Sequence, residues 1–203
     1  MQEVTVMVSS CGSTSGVNVI KALRKQDRYA VTLVGTDADP DAAGLKMVDM
    51  AGVLPMASDY RFLEEVLSIC KRHDVDVLMP THSKELIAYS SAKRMLETAG
   101  VKMLVPPVDT IRLCDDKVNL GNYLEYLGMK RPQPITDPTE FPVFIKSRFG
   151  SGSLFAHKVN DQEELSFWRN HIPEPVVQEF IAGQEYTVNM VSDKDAKVVG
   201  VLP

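Results

Sequence analysis

Cysteine is scarce in this chain: Cys11, Cys70 and Cys114 are odd in number and far apart. With no Cys-x-x-Cys pair and no histidines at metal spacing beside them, there is neither a disulfide framework nor a zinc site to build, and the thiols read as free in a reducing cytosol. Positive charge is also short, with 22 Lys and Arg against 27 Asp and Glu for a formal net charge of -5. No basic patch accumulates, which argues against a nucleic-acid surface built on phosphate contacts. No apolar run approaches membrane-spanning length. After Met1-Gln2-Glu3 the chain enters a strand rather than a basic leader, and a cytoplasmic protein is the expectation. Aromatics are 7% of residues with a single tryptophan; Trp168, with no cluster of aromatics around it, reads as a core or interface residue. The remaining composition, 44% apolar and 24% charged over 203 residues, suits one large or two small domains with real cores.

The first half alternates strands and helices. Val4 to Val8 is mostly β-branched and free of charge, as a strand buried on both faces would be. Ser9-Ser10-Cys11-Gly12-Ser13-Thr14-Ser15-Gly16 follows as a small-residue loop, then Val17, Ile20, Ala22 and Leu23 at helical spacing. A strand from Ala30 to Val34 delivers Asp37 at its carboxyl end, which together make a Rossmann-like opening. The Gly-x-Gly-x-x-Gly fingerprint is absent, since Gly12 and Gly16 are spaced Gly-x-x-x-Gly. Further strands are predicted at Gly52 to Leu54, Val75 to Met79 and Val101 to Val105. Helices are predicted from Asp59, as N-cap, to His73 and from Ser83 to Gly100. This alternation requires a parallel sheet covered on both faces, closing near residue 106. Ligands of such sheets bind outside the carboxyl ends of the strands, where the candidates are Ser9, Ser10, Asp37, Thr81, His82 and Glu85. His82 reads as a general base or, more simply, as a loop hydrogen-bond partner; Glu85 reads as a ligand group or as a first-turn acid favoured by the helix dipole.

From residue 107 the pattern becomes α+β. A helix opens at Asp115-Asp116-Lys117 and stops at Gly128, and a proline-rich crossing runs from Arg131 to Pro138. Phe141-Pro142-Val143-Phe144-Ile145-Lys146-Ser147-Arg148 then feeds two cations into Gly150-Ser151-Gly152-Ser153. Two readings stand side by side: a donor-rich cradle for phosphate oxygens, and an ordinary hairpin turn. Strands are predicted for Phe155 to Val159, Val176 to Ile181, Gln184 to Val191 and Lys197 to Leu202, with a short helix from Asp161 to Trp168 and a turn at Ser192 to Ala196.

Four segments, in order, carry a resemblance: Cys114-Asp115-Asp116-Lys117, Phe141 to Lys146, Gly150 to Ser153, and Val177-Gln178-Glu179-Phe180-Ile181-Ala182-Gly183-Gln184-Glu185-Tyr186-Thr187-Val188. They resemble the ATP-grasp superfamily, and within it the group similar to the large subunit of carbamoyl-phosphate synthase. The first domain, with Gly35-Thr36-Asp37 and Asp76 to Thr81, is similar to that group's preceding α/β domain. The resemblance implies a Rossmann-like parallel-sheet domain at 1–106 and an incomplete α+β ATP-grasp domain at 107–203. It implies that Lys117 and Lys146 hold ATP phosphates and that Gly150, Ser151, Gly152 and Ser153 form a lid. Glu179 would accept from the adenine amino group, with Phe180 and the backbone of Ile181 beside it, and Glu185 would take the ribose hydroxyls. Ser9, Asp37 and Glu85 are the candidates for the substrate side. Two departures follow: Leu154 and Phe155 stand where a further glycine is expected, and the only acids after Glu185 are Asp193 and Asp195. Magnesium ligands are therefore expected beyond residue 203, as in a fragment of a longer protein or a degenerate member. The implied activity is ATP-dependent activation of a small carboxylate or carbonate as an acyl phosphate for attack by an amine, with a homodimer left open and this chain alone inactive. The rival readings are a non-catalytic nucleotide-binding module and an NAD(P)-dependent oxidoreductase.

Overall fold

The apolar run at the amino terminus becomes the middle of a sheet. In the computed structural model, which describes residues 1–193 and 195–203, β1 (Gln2–Ser9) pairs in parallel with β2 (Tyr29–Asp37) on one side and β4 (Val77–Pro80) on the other. β3 (Met50–Val53) and β5 (Lys102–Met103) complete the parallel order β3-β2-β1-β4-β5. Successive residues on a strand point to opposite faces, and the two cores divide accordingly. Val6, Val8 and Leu33 pack with Ile20 of α1 (Thr14–Lys25) and with Leu45 and Met47 of the 3₁₀ turn Ala43–Met47. Met7, Val34 and Leu78 pack on the other face with α2 (Phe62–Arg72), α3 (Ser83–Ser91), α4 (Lys93–Thr98) and α5 (Val108–Asp115). The strand order reverses direction between β1 and β4, so their carboxyl ends form the crevice that such sheets offer a ligand.

Three local predictions change. Asp59 is not the cap of α2: Arg61 holds that position with no side-chain cap bond. Asp59 instead accepts from the Arg61 backbone N-H at 2.9 Å and from its guanidinium at 2.8 and 3.1 Å. The helix expected from Ser83 to Gly100 breaks at Ala92, whose N-H is shared between the Ala88 and Tyr89 carbonyls at 3.1 Å each; that tightening is characteristic of a helix end. Cys11 and Cys70 are free and buried, Cys114 free and exposed; burial pushes both buried thiols up to about 11.

The chain divides into two units, Met1–Leu120 and Gly121–Pro203, with the division inside α6 (Lys117–Tyr126). In the second unit β6 (Val143–Ser147) is the centre of an antiparallel sheet, flanked by β7 (Ala156–Val159) and β8 (Pro175–Glu179). Val143, Ile145, Val159 and Val177 face α7 (Gln162–His171), whose Leu165 is fully buried. Asp161 caps α7 by accepting from the Glu163 and Glu164 N-H groups. Trp168 does have aromatic company, contrary to the sequence reading: its ring stacks on His157 at 3.7 Å and meets Phe167 edge-on at 5.0 Å. The predicted strand from Gln184 forms only from Asn189, as β9 (Asn189–Ser192), which pairs antiparallel with β10 (Val198–Leu202). In the turn between them, Asp193 Oδ1 accepts from the Asp195 and Lys197 N-H groups; Lys194, part of that predicted turn, lies outside the described residues. No described helix is long and apolar enough to cross a membrane.

The first unit depends on close backbone approaches, the tightest at Gly44. A Cβ on Gly44 would stand 2.0 Å from the Cys11 carbonyl oxygen and 2.9 Å from the Gly12 nitrogen. Backbone cannot swing away as a side-chain tip can, so Gly44→Ala is expected to destabilise the protein by about 1–3 kcal/mol. Gly200→Ala, where no described residue lies within 4 Å, should leave the urea midpoint unchanged; equal midpoints for the two variants would refute the packing argument.

Candidate functional site

In the first unit, a cavity of about 340 Å³ opens at the strand ends and is lined by Ser10, Gly12, Ser13, Asp37, Asp39, Asp41, Ala42, Ala43 and His82. Its floor is tied together by hydroxyls. Thr81 Oγ1 lies 2.6 Å from the Ser9 carbonyl and 3.0 Å from that of Ser10, donating to them, and 3.2 Å from Ser13 Oγ. Ser13 Oγ in turn accepts from the Gly16 N-H at the start of α1. Asp37 sits at the end of β2 as expected, and its Oδ2 accepts from the Gly12 N-H at 2.8 Å. In a dinucleotide site this glycine-loop donor would point at pyrophosphate. Here a carboxylate occupies it, and among the described residues no lysine or arginine lines the cavity. That arrangement disfavours the nicotinamide reading.

Ser9 and Glu85 come together below this rim. Both are buried, and Ser9 Oγ donates to Glu85 Oε2 at 2.7 Å. Glu85 is thus more than a first-turn acid on a solvated helix. Burial pushes its carboxyl above the ordinary glutamate range; the Ser9 and Ser10 hydroxyls and His82 oppose the rise, and Asp37 adds to it. His82 is the cap of α3, its Nδ1 accepting from the Lys84 N-H at 3.2 Å, which favours the hydrogen-bond reading over the general base.

In the second unit the site residues hang from one sheet. Lys146 is paired with Ala156 and Val176 on β6, and pleat alternation puts it on the face opposite Val143 and Ile145. The following loop joins β6 to β7, so it is a hairpin connection in geometry whatever else it does. Gly150, Gly152 and Ser153 all lie at positive φ, 90°, 76° and 54°, and the loop closes where the Ser147 N-H donates to the Phe155 carbonyl. Ser153 takes a left-handed conformation that costs a non-glycine residue about 1–2 kcal/mol. Leu154 beyond it is 79% exposed.

Glu179 ends β8, and its Oε1 accepts from the Gln133 N-H at 2.9 Å while its own N-H donates to the Gln133 carbonyl at 2.9 Å. Beside this clasp lies a second cavity of about 340 Å³, lined by Lys130, Arg131, Pro132, Gln133, Glu179 and Ile181. Phe180 carries the ammonium of Lys158 over its ring at 4.8 Å. Glu185 falls in a segment without regular structure, and it is exposed. Lys117 belongs to the first unit and opens α6, after Asp116 caps that helix by accepting from the Val118 and Asn119 N-H groups. Sequence reasoning missed the 130–133 wall. Its signal was Pro132 and Pro134 on either side of Gln133, which read only as a crossing. It also missed Asp39 and Asp41, for which no sequence pattern stood out.

Among the described residues no group of three or more His, Cys, Asp or Glu is placed to hold a metal ion.

Residues 114–202 match the ATP-grasp domain family, and residues 6–104 match the PylC-like N-terminal domain family. Residues 114–202 are thereby assigned to the ATP-grasp domain family. The chain is similar to the carbamoyl phosphate synthase large chain of Campylobacter jejuni, 22% identical over 201 residues, which are 89% of this chain and 18% of the relative. Among solved structures it shares its fold with the L-amino acid ligase from Bacillus licheniformis, with a TM-score of 0.72 and 16% identity over 99% of this chain and 50% of that one. N5-carboxyaminoimidazole synthetase from Staphylococcus aureus, complexed with ADP, gives 0.64 and 14% identity over 89% of this chain and 48% of that one. The chain therefore spans half or less of the length of the proteins named here.

The buried glutamate supplies a pH test. Because the folded-state value of Glu85 is raised, the folded protein binds the extra proton more readily than the unfolded chain. Stability contributed by the protonated group is complete below the ordinary glutamate range and is lost as pH rises through the folded value. Glu85→Gln keeps an acceptor for Ser9 without the charge, so its stability relative to wild type should rise over that window. A constant difference between the two urea midpoints from pH 4 to 8 would contradict the burial argument.

Proposed function

We propose that this chain is the nucleotide-binding part of an ATP-dependent ligase that activates a carboxylate or bicarbonate as an acyl phosphate for attack by an amine-type nucleophile. The observation that carries the reading is the origin of three parts in one small sheet: Lys146, the Gly150–Ser153 loop and the Glu179–Ile181 cavity all grow from β6 and its two neighbours. The ATP-grasp family match over residues 114–202 supports it.

In this reading the terminal phosphoryl group passes from ATP to a carboxylate oxygen, ADP departs, and the amine then displaces phosphate from the acyl carbon. The protein's share is placement and neutralisation of charge. Lys146 presents a compact ammonium to the phosphate chain, and Lys117 does the same as the superfamily resemblance implies. The glycine loop supplies backbone N-H groups and closes over the phosphates. Glu179 has one oxygen bound to Gln133, and the other takes the adenine amino group, with Ile181 flanking the base and Glu185 at the ribose. Magnesium, when bound, would neutralise the phosphates. The first-unit cavity at Ser10, Asp37 and His82, above Ser9 and Glu85, receives the non-nucleotide substrate.

Calorimetry on the full chain is the test. ATP should bind and raise the melting temperature while NAD does not. Lys146→Ala should weaken ATP binding about tenfold or more, the scale of a lost charge-assisted hydrogen bond. Unchanged affinity in that variant would remove Lys146 from the site. Phosphate release from ATP that depends on an added carboxylate, assayed in the whole natural protein, separates a ligase from a non-catalytic nucleotide-binding module.

A further inference from the structure

We propose that Arg131 is a positioning residue for the nucleotide base, an inference that rests on reading the cavity beside Glu179 as the adenine site. The Arg131 side chain is only 12% exposed, although it belongs to a linker, where an arginine ordinarily reaches water. Its Nη2 donates to Glu125 Oε2 at 2.6 Å and to Asn122 Oδ1 at 3.3 Å, both on α6. Gly121 makes the room: a Cβ there would stand 2.8 Å from Arg131 Nη1 and 3.3 Å from its Cδ. Nε is buried with no hydrogen-bond partner among the described residues. Burying a donor unsatisfied works against stability, so local stability alone does not account for this placement.

The guanidinium anchors one wall of the cavity. Lys130, Arg131, Pro132 and Gln133 form that wall, and Glu179 and Ile181 line the same cavity from the end of β8. The Arg131 carbonyl accepts from Gln133 Nε2 at 3.2 Å, and Pro132, with its fixed φ, is the only residue between them. Anchoring at Arg131 is thus passed through a stiff link to Gln133, which makes both bonds of the clasp with Glu179. The clasp leaves Glu179 with one oxygen engaged and fixes the slot into which a flat purine slides. Lys146 and the glycine loop stem from β6, so the share of the phosphate grip that they supply is held independently of this anchor.

The consequence is selective. Disturbing Arg131 should loosen the grip on the base and spare the grip on phosphates. Binding of ATP and of inorganic tripolyphosphate to the full chain would be measured for wild type, Arg131→Gln, Arg131→Lys, Glu125→Gln and Gly121→Ala. Arg131→Gln and Gly121→Ala are each expected to weaken ATP about tenfold while tripolyphosphate stays within about twofold, with Arg131→Lys partly restoring ATP binding. Glu125→Gln, which leaves the arginine in place, should give the same selective loss in smaller measure, and it serves if Arg131→Gln does not fold. Equal weakening of ATP and tripolyphosphate would show a merely structural role and overturn the proposal, as would unchanged ATP affinity. Failure of wild type to bind ATP would overturn the adenine reading itself, and this inference with it.

Discussion

Everything the second unit offers a nucleotide depends on β6 being a central strand. With neighbours on both edges, its backbone is fully committed to the sheet, and its side chains must alternate between faces. Val143 and Ile145 go to the core against α7, so Lys146 is delivered to the other face at the point where the strand runs into the glycine loop. The same pairing sets β8 in register, with Val143 opposite Glu179. A one-residue slip would exchange Lys146 with a core residue and bury an ammonium.

The first unit is organised by a different constraint, close backbone approach. Gly16 meets the Ser10 carbonyl at 2.5 Å from its would-be Cβ, and Gly44 meets Cys11 more closely still. These contacts draw the loop after β1 tightly against α1 and the 3₁₀ turn. Asp37 can then reach the Gly12 N-H, and Ser13 can bridge Gly16 and Thr81. A loop with the composition of a dinucleotide cradle is thereby closed by the protein's own carboxylate, and what it presents to a ligand is acidic and hydroxyl-rich.

Strand and helix alternation in the first unit was legible because buried parallel strands are apolar without interruption and helices repeat at 3.6 residues. The errors fell where a specific contact, local or tertiary, overrides the pattern rules. Asp59 has the chemistry of a cap but its carboxylate is claimed by Arg61 two residues on. Gln184 to Val188 has the composition of a strand but is exposed throughout and finds no pairing partner among the described residues, and a strand is defined by its partner. Trp168 has only Phe167 as an aromatic neighbour in sequence and gained His157 from β7 through packing of α7 on the sheet.

The sequence by itself determined the two architectures, the positions of the cations and the glycine loop, and the acids at strand ends, because these follow from hydrophobic period and from residue chemistry at fixed spacing. Only the tertiary structure decided what those groups touch. Ser9 and Glu85 are 76 residues apart and share a buried hydrogen bond; Gln133 and Glu179 are 46 apart and clasp at a strand end. A hydrogen bond between distant residues depends on packing of all that lies between them, and local sequence carries no record of it. Arg131 shows this most plainly: in sequence it is a charged residue in a proline-rich crossing, and in the fold a glycine one helix away makes it part of the wall.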